Sequence, residues 1–151
     1  MKRRDTVEAL NELLAIAKDV EYGLRTCAGY ATGYELRQLF EHGSTASAAH
    51  VAELNALVLQ YGGRPNLHGT VAGAVQRAWV RLRDSVNGLT DAGLIDDCER
   101  AEAHALARFR AALNTEPLPG GARELIARQT AVVERHRDLL RQRRHALQAV
   151  V

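Results

Sequence analysis

Apolar and small residues recur along the chain at alternating spacings of three and four, the period of a helix with one buried stripe. From Asp5 to about Ala31 the stripe runs through Val7, Leu10, Leu14, Ala17, Leu24, Ala28 and Ala31, and Asp5 followed by Glu8 has the spacing of a capping box. After a break at Thr32-Gly33, a second stripe of Leu36, Phe40, Gly43, Ser47, Leu54 and Leu57 predicts a helix to about Tyr61. Gly62-Gly63-Arg64-Pro65-Asn66 ends it, because paired glycines take left-handed conformations and proline cannot donate to a further turn. Val71, Val75, Ala78, Trp79 and Leu82 predict a shorter helix from Thr70 to about Val86.

Beyond Asn87-Gly88 a third long helix is predicted from about Asp91 to Leu113, on Leu94, Ile95, Cys98, Leu106, Phe109 and Leu113. Pro117-Leu118-Pro119-Gly120-Gly121 forces a loop. The last helix, about Ala122 to Ala149, uses Leu125, Ile126, Val132, Val133, Leu139, Leu140 and Leu147. No stretch alternates with the period of a strand. The expectation is an all-α four-helix bundle, one domain over 1–151, built as two antiparallel hairpins joined by a crossover that carries the short helix.

A few polar residues break the stripes. The spacing of the first helix puts Glu21 between Ala17 and Leu24, and the same exercise puts His50 between Ser47 and Leu54, Glu102 between Cys98 and Leu106, and Gln129 and His136 on the last helix. Burying a carboxylate costs several kcal/mol unless it is paired, protonated or bound to metal, so a shared polar centre is the economical reading. Glu53 lies one turn from His50 and Glu99 one turn from Glu102, so further carboxylates flank the seam. Oxygen and imidazole donors suit iron, manganese or zinc, which makes Glu21, His50, Glu53, Glu99, Glu102 and His136 candidate metal ligands. Two ions bridged by Glu21 and Glu102, with His136 and Glu99 as terminal ligands, would suit iron oxidation or peroxide chemistry.

Composition adds boundaries. The chain has 151 residues, 25% charged and 46% hydrophobic, close to globular averages, and no apolar run spans a bilayer. A fold of this length buries about 70% of its unfolded surface. The basic start Met1-Lys2-Arg3-Arg4 leads into an amphipathic pattern rather than a secretory leader. Cys27 and Cys98 form no Cys-x-x-Cys pair and suit reduced thiols, a disulfide being open to them but unneeded, so a cytoplasmic protein is expected. Twenty basic against eighteen acidic residues leave a net charge of +2, too small to imply a nucleic-acid partner. Arg135, Arg137, Arg141, Arg143, Arg144 and His145 crowd the last turns of the final helix, where cations oppose the negative end of the dipole. No phosphate loop, Ser/His/Asp constellation, zinc-type cysteine cluster or dinucleotide fingerprint is present.

Several segments resemble an uncharacterised bacterial branch of the ferritin-like proteins. They are Asp19-Val20-Glu21-Tyr22-Gly23, Gly69-Thr70-Val71-Ala72-Gly73 with Arg77 and Trp79, Cys98-Glu99-Arg100-Ala101-Glu102, and Gln129 with His136. The resemblance covers nearly the whole chain and implies a ferritin-like fold. It implies no particular activity, since that family is known mainly as a domain of unknown function.

The metal centre of ferritin-like bundles uses one Glu from each of two helices and Glu-x-x-His from each of the other two. Here Ser47 stands three before His50 and Val133 three before His136, while His50-x-x-Glu53 runs in the reverse order. Counted from the Thr32 turn, Glu21 and His50 are offset by about 10 Å along the bundle, too far to share one ion. Two readings therefore stand side by side. In one, the centre binds iron or manganese. In the other it holds no metal: Glu21 and Glu102 accept hydrogen bonds from His136, Gln129, Tyr22 or Tyr30, and the chain is a structural or stress-associated interaction protein. A homo-oligomer, a dimer, is expected through the outer faces that carry Tyr61 and Trp79, with no nucleic-acid or membrane partner.

Overall fold

The stripes close into four long helices: α1 (Arg3–Tyr30), α2 (Tyr34–Gln60), α3 (Asp91–Thr115) and α4 (Gly120–Ala149). The computed structural model describes residues 3–66, 89–115 and 117–149, and among them there is no strand. The expected short helix over 70–86, with Trp79, lies outside the described residues. No helix among the described residues is long and apolar enough to cross a membrane.

α1 packs on α2 and on α3, and α4 packs on α3 and on α2. Three cross-links fix the direction of the α1/α3 pair: Glu12 meets Arg108, Cys27 meets Cys98, and Thr32 meets Asp91. Numbers rise on one helix as they fall on the other, so the two are antiparallel. The α2/α4 pair behaves likewise, with Glu35 on Arg143 and Glu53 on Arg128. The core unites Leu10, Leu14 and Leu24 of α1, Leu36, Phe40 and Leu54 of α2, Leu94, Ile95 and Phe109 of α3, and Ile126 and Leu140 of α4. Leu13 to Ala17 are buried five in a row, so the middle of α1 is enclosed on all sides.

The ends of the helices have chemical causes. α1 starts at Arg3, so Asp5 lies inside its first turn, where a carboxylate favours the positive end of the dipole, rather than at the cap. At the end of α2 only Gly62 has a positive φ, of 78°. Gly62 N–H bonds Leu59 O and Gly63 N–H bonds Val58 O, the paired bonds of a Schellman ending. Gly63 serves closeness instead of handedness, because a Cβ there would stand 2.4 Å from Val7 Cγ1 of α1. Asn11 of α1 then holds the departing chain: its amide donates to Arg64 O at 3.0 Å and its carbonyl accepts from Asn66 N–H at 2.8 Å.

The turn from α1 to α2 is tied to the start of α3. Asp91 Oδ1 accepts Thr32 N–H at 2.9 Å, and Oδ2 accepts the Thr32 hydroxyl and Gly33 N–H, each at 3.0 Å. Thr90 caps α3 through its own hydroxyl, which accepts Gly93 N–H at 3.1 Å. Asp91→Ala removes three bonds at once and leaves two backbone donors to water, so a loss of about 2 kcal/mol is expected. Urea unfolding of the variant checks this, with the slope unchanged and the midpoint lowered; an unaltered midpoint would mean that the clamp contributes nothing.

Candidate functional site

Glu102 is the most deeply buried carboxylate of the candidates, with its side chain 2% exposed, and it faces His136, whose side chain is 11% exposed. His136 Nδ1 lies 3.0 and 2.9 Å from the two Glu102 oxygens, and Nε2 lies 2.9 Å from the Leu39 carbonyl. A carbonyl only accepts, so Nε2 carries a hydrogen and donates to it. Nδ1 faces a carboxyl group, and a proton lies between the two. The imidazole thereby joins α4 to α3 on one side and to α2 on the other.

Room for the ring comes from a glycine. A Cβ at Gly43 would stand 2.4 Å from His136 Nε2 and 2.6 Å from Cε1. Gly43 is also the residue four after Leu39, so no side chain shields the Leu39 carbonyl from the incoming ring. A glycine inside a helix costs about 1 kcal/mol relative to alanine, and at this position the cost is offset by a bond that alanine would forbid.

The electrostatics follow from burial and from the partner. Loss of hydration pushes the Glu102 carboxyl up, against the hydrogen bond and charge of His136 and the charge of Arg137. Burial alone would lower His136; the Glu102 hydrogen bond and charge, helped by the Leu39 carbonyl, outweigh it and the net direction is up. His50 goes the other way. Its burial lowers it, only partly opposed by Glu53, and Arg128 lowers it further, so it is neutral at neutral pH.

The other expected ligands are dispersed. Glu21 is half-buried, its side chain 21% exposed, and pairs with Arg25 one turn on at 2.9 Å rather than entering the centre. Tyr22 lies beneath Arg25, whose guanidinium carbon is 5.9 Å from the ring centroid, and Tyr30 is exposed. Glu53 takes Arg128 at 2.7 Å and the Gln129 amide at 3.3 Å. Gln129, itself buried, donates also to the His50 carbonyl at 3.3 Å, while its own Oε1 is buried without a partner. Glu99 is held by Arg141 at 2.6 Å and Arg137 at 3.7 Å. The structure therefore brings together Glu102 with His136, and Gln129 with Glu53 and the His50 backbone. Glu21 joins neither group, while Glu99 acts on Glu102 only through its charge and accepts a hydrogen bond from Arg141 instead. Among the described residues, no three His, Cys, Asp or Glu side chains gather as a group that could hold a metal ion.

The carboxyl-terminal arginines also differ from expectation. Arg137 and Arg141 reach Glu99 of α3, Arg144 reaches Asp96 of α3 at 2.9 Å, and Arg143 reaches Glu35 of α2 at 3.0 Å. They pair across helices instead of serving only the end of their own. Gly43 and the Leu39 carbonyl were not foreseen as parts of the centre, although a glycine inside a helical stripe is a signal of close approach.

Four long helices in two antiparallel hairpins, with polar side chains meeting at the centre, define a ferritin-like bundle. The chain belongs to the family described as domain of unknown function DUF2383, which matches residues 5–115. The match ends with α3, so Glu102 lies inside it and Gln129 and His136 outside. No curated protein matches the chain. Among solved structures, the bacterioferritin-related protein from Bacteroides fragilis, described as a dodecameric thioferritin, is similar with a TM-score of 0.81. The likeness covers 99% of this chain and 90% of that one at 16% identity, which speaks for the fold alone.

Two outcomes test the centre. Gly43→Ala should lower stability by about 2 kcal/mol through overpacking against His136, whereas the same change in an open helix raises it. A stabilised variant in urea unfolding would sink this account. Because Glu102 and His136 both bind a proton more tightly when folded, their contribution is fully present below their ordinary values and is lost as pH rises through the raised ones. The stability gap between the wild type and His136→Gln should accordingly narrow from pH 6 to pH 9; a gap independent of pH would contradict the assignment. His50, being lowered, acts oppositely and only weakens the fold in acid.

Proposed function

We propose that this chain is a ferritin-like structural protein whose polar centre fixes the packing of its helices without a resident metal, and that it works as an assembling scaffold. The observation that carries this reading is the state of the donors. Both ring nitrogens of His136 are directed at oxygen acceptors, and the Glu102 oxygens face His136. A metal ligand needs a free lone pair, and at His136 one would be free only if the Leu39 or Glu102 bond broke.

The outer candidates are engaged as well: Arg25 neutralises Glu21, Arg128 neutralises Glu53, and Arg137 with Arg141 neutralises Glu99. The donor set does not fit a di-metal centre. Assembly is the second half of the reading. It is supported by the large apolar side chains left outside the bundle, Tyr34 at 73% exposure with Leu59 and Leu139, and by the dodecameric description of the similarly folded protein. A homo-oligomer is accordingly proposed, and a dimer in particular has no support from these features.

Elemental analysis before and after incubation with ferrous iron, on the wild type and on Glu102→Ala and Glu21→Ala, tests the metal half. No stoichiometric iron or manganese in any sample is the expected result. Iron bound by the wild type and lost in the variants would establish a seam site and overturn the metal-free reading. Light scattering on the same samples reads the assembly, where a mass above that of one chain is expected and a single-chain mass refutes the scaffold.

A further inference from the structure

Neither cysteine takes part in the polar centre. Cys27 lies on α1 and Cys98 on α3, 71 positions apart, and both are buried, at 0% and 1% exposure. The Cys98 thiol donates to Cys27 Sγ at 2.9 Å, and Cys27 Sγ lies 3.9 Å from the Leu94 carbonyl. The sulfurs are thus within about 1 Å of the length of a covalent disulfide, about 2.05 Å. Their meeting is held from both sides, by the Thr32–Asp91 bonds near one end of the α1/α3 pair and the Glu12–Arg108 contact toward the other.

We propose that Cys27 and Cys98 are a redox-modification site, at which a small two-electron oxidant of the peroxide class drives formation of an intramolecular disulfide joining α1 to α3. In the first step one sulfur attacks a peroxide oxygen and the O–O bond breaks, giving a sulfenic acid and one water. In the second the other thiol displaces the sulfenic hydroxyl, so the S–S bond forms and a second water leaves with the remaining thiol hydrogen. Each sulfur loses one electron and the peroxide gains two. The sulfurs, 2.9 Å apart, have about 1 Å to close.

Burial, then the hydrogen bond and charge of Cys27, push the Cys98 thiol well above its ordinary value. Thiolate is scarce, so the pair resists brief oxidation and reacts slowly, faster as pH rises. Once formed, the bond closes a loop of about 70 residues, which raises Tm by about 10 °C. This inference stands whether or not the polar centre takes a metal.

The test uses the full chain, folded and treated with hydrogen peroxide, then denatured in an alkylating agent. The expected result is an intact mass lower by two hydrogen atoms, no alkylation, and a reductant-sensitive peptide pair containing Cys27 and Cys98. The rise in Tm should disappear in Cys27→Ser and Cys98→Ser, and the wild-type peptide map decides the matter if either variant fails to fold. Full alkylation of both cysteines after a treatment that oxidises the denatured chain would overturn the proposal, as would sulfinic acids or cross-links between chains in place of the internal bridge.

Discussion

The contact of the His136 ring with Glu102 on one side and Leu39 on the other matters most for α4, whose buried face mixes polar with apolar side chains. Over thirty residues its buried set is Ala122, Ile126, Gln129, Thr130 and Leu140, two of them polar, with Leu125 and Leu147 partly buried against the core. At about 25 cal/mol per Å² of apolar area, three buried aliphatic side chains give a helix of this length modest hydrophobic anchorage. The imidazole supplies a bond to α3 and another to α2, and it does so in a place where water competes poorly. Hydrogen bonds to charged groups are stronger than neutral ones, and removing one partner of such a buried pair leaves the other stranded, at about 3 kcal/mol or more.

Around this contact the ionic pairs are peripheral in position and in energy. Arg141 with Glu99, Arg144 with Asp96 and Arg143 with Glu35 are all partly exposed, and exposed pairs are worth at most about 1 kcal/mol each. Their value lies in register. Each joins α4 to a specific turn of α3 or α2, and a slip of one residue would turn its partners by about 100° around the helix. The arginines thus make one rotation of α4 consistent with the one that inserts His136 over Gly43. They also take up the basic charge that, read alone, would suggest a polyanion partner.

The four long helices were legible because each has a periodic stripe and chemically marked ends, and Glu102 and His136 stood out as polar residues inside those stripes. Glu21 misled for a geometric reason. Extending the stripe from Ala17 by four residues lands on Glu21, but Val20 is the buried neighbour, and the one-residue difference moves Glu21 to the margin where Arg25 reaches it. Spacing of three and of four are both helical, so a single stripe leaves that choice open. The Cys27–Cys98 contact and the Arg143–Glu35 pair were illegible for another reason: they depend on the heights at which α3 and α4 sit beside α1 and α2. No local spacing encodes those heights across residues 67–88.

The same fold can serve a metal centre or a metal-free one, and local charge compensation is what separates them on the reading proposed here. A divalent cation is held by carboxylates that lack cations of their own, since their mutual repulsion is relieved when the ion binds. In this chain each candidate carboxylate has an internal cation or proton instead: Arg25 for Glu21, Arg128 for Glu53, Arg137 and Arg141 for Glu99, and His136 for Glu102. An entering ion would have to displace a positive charge from every ligand it recruited, and near Glu99 it would meet two. The proton between Glu102 and His136 therefore does the work that an ion does in a metal-binding bundle. It neutralises a buried carboxylate and ties α4 to α3.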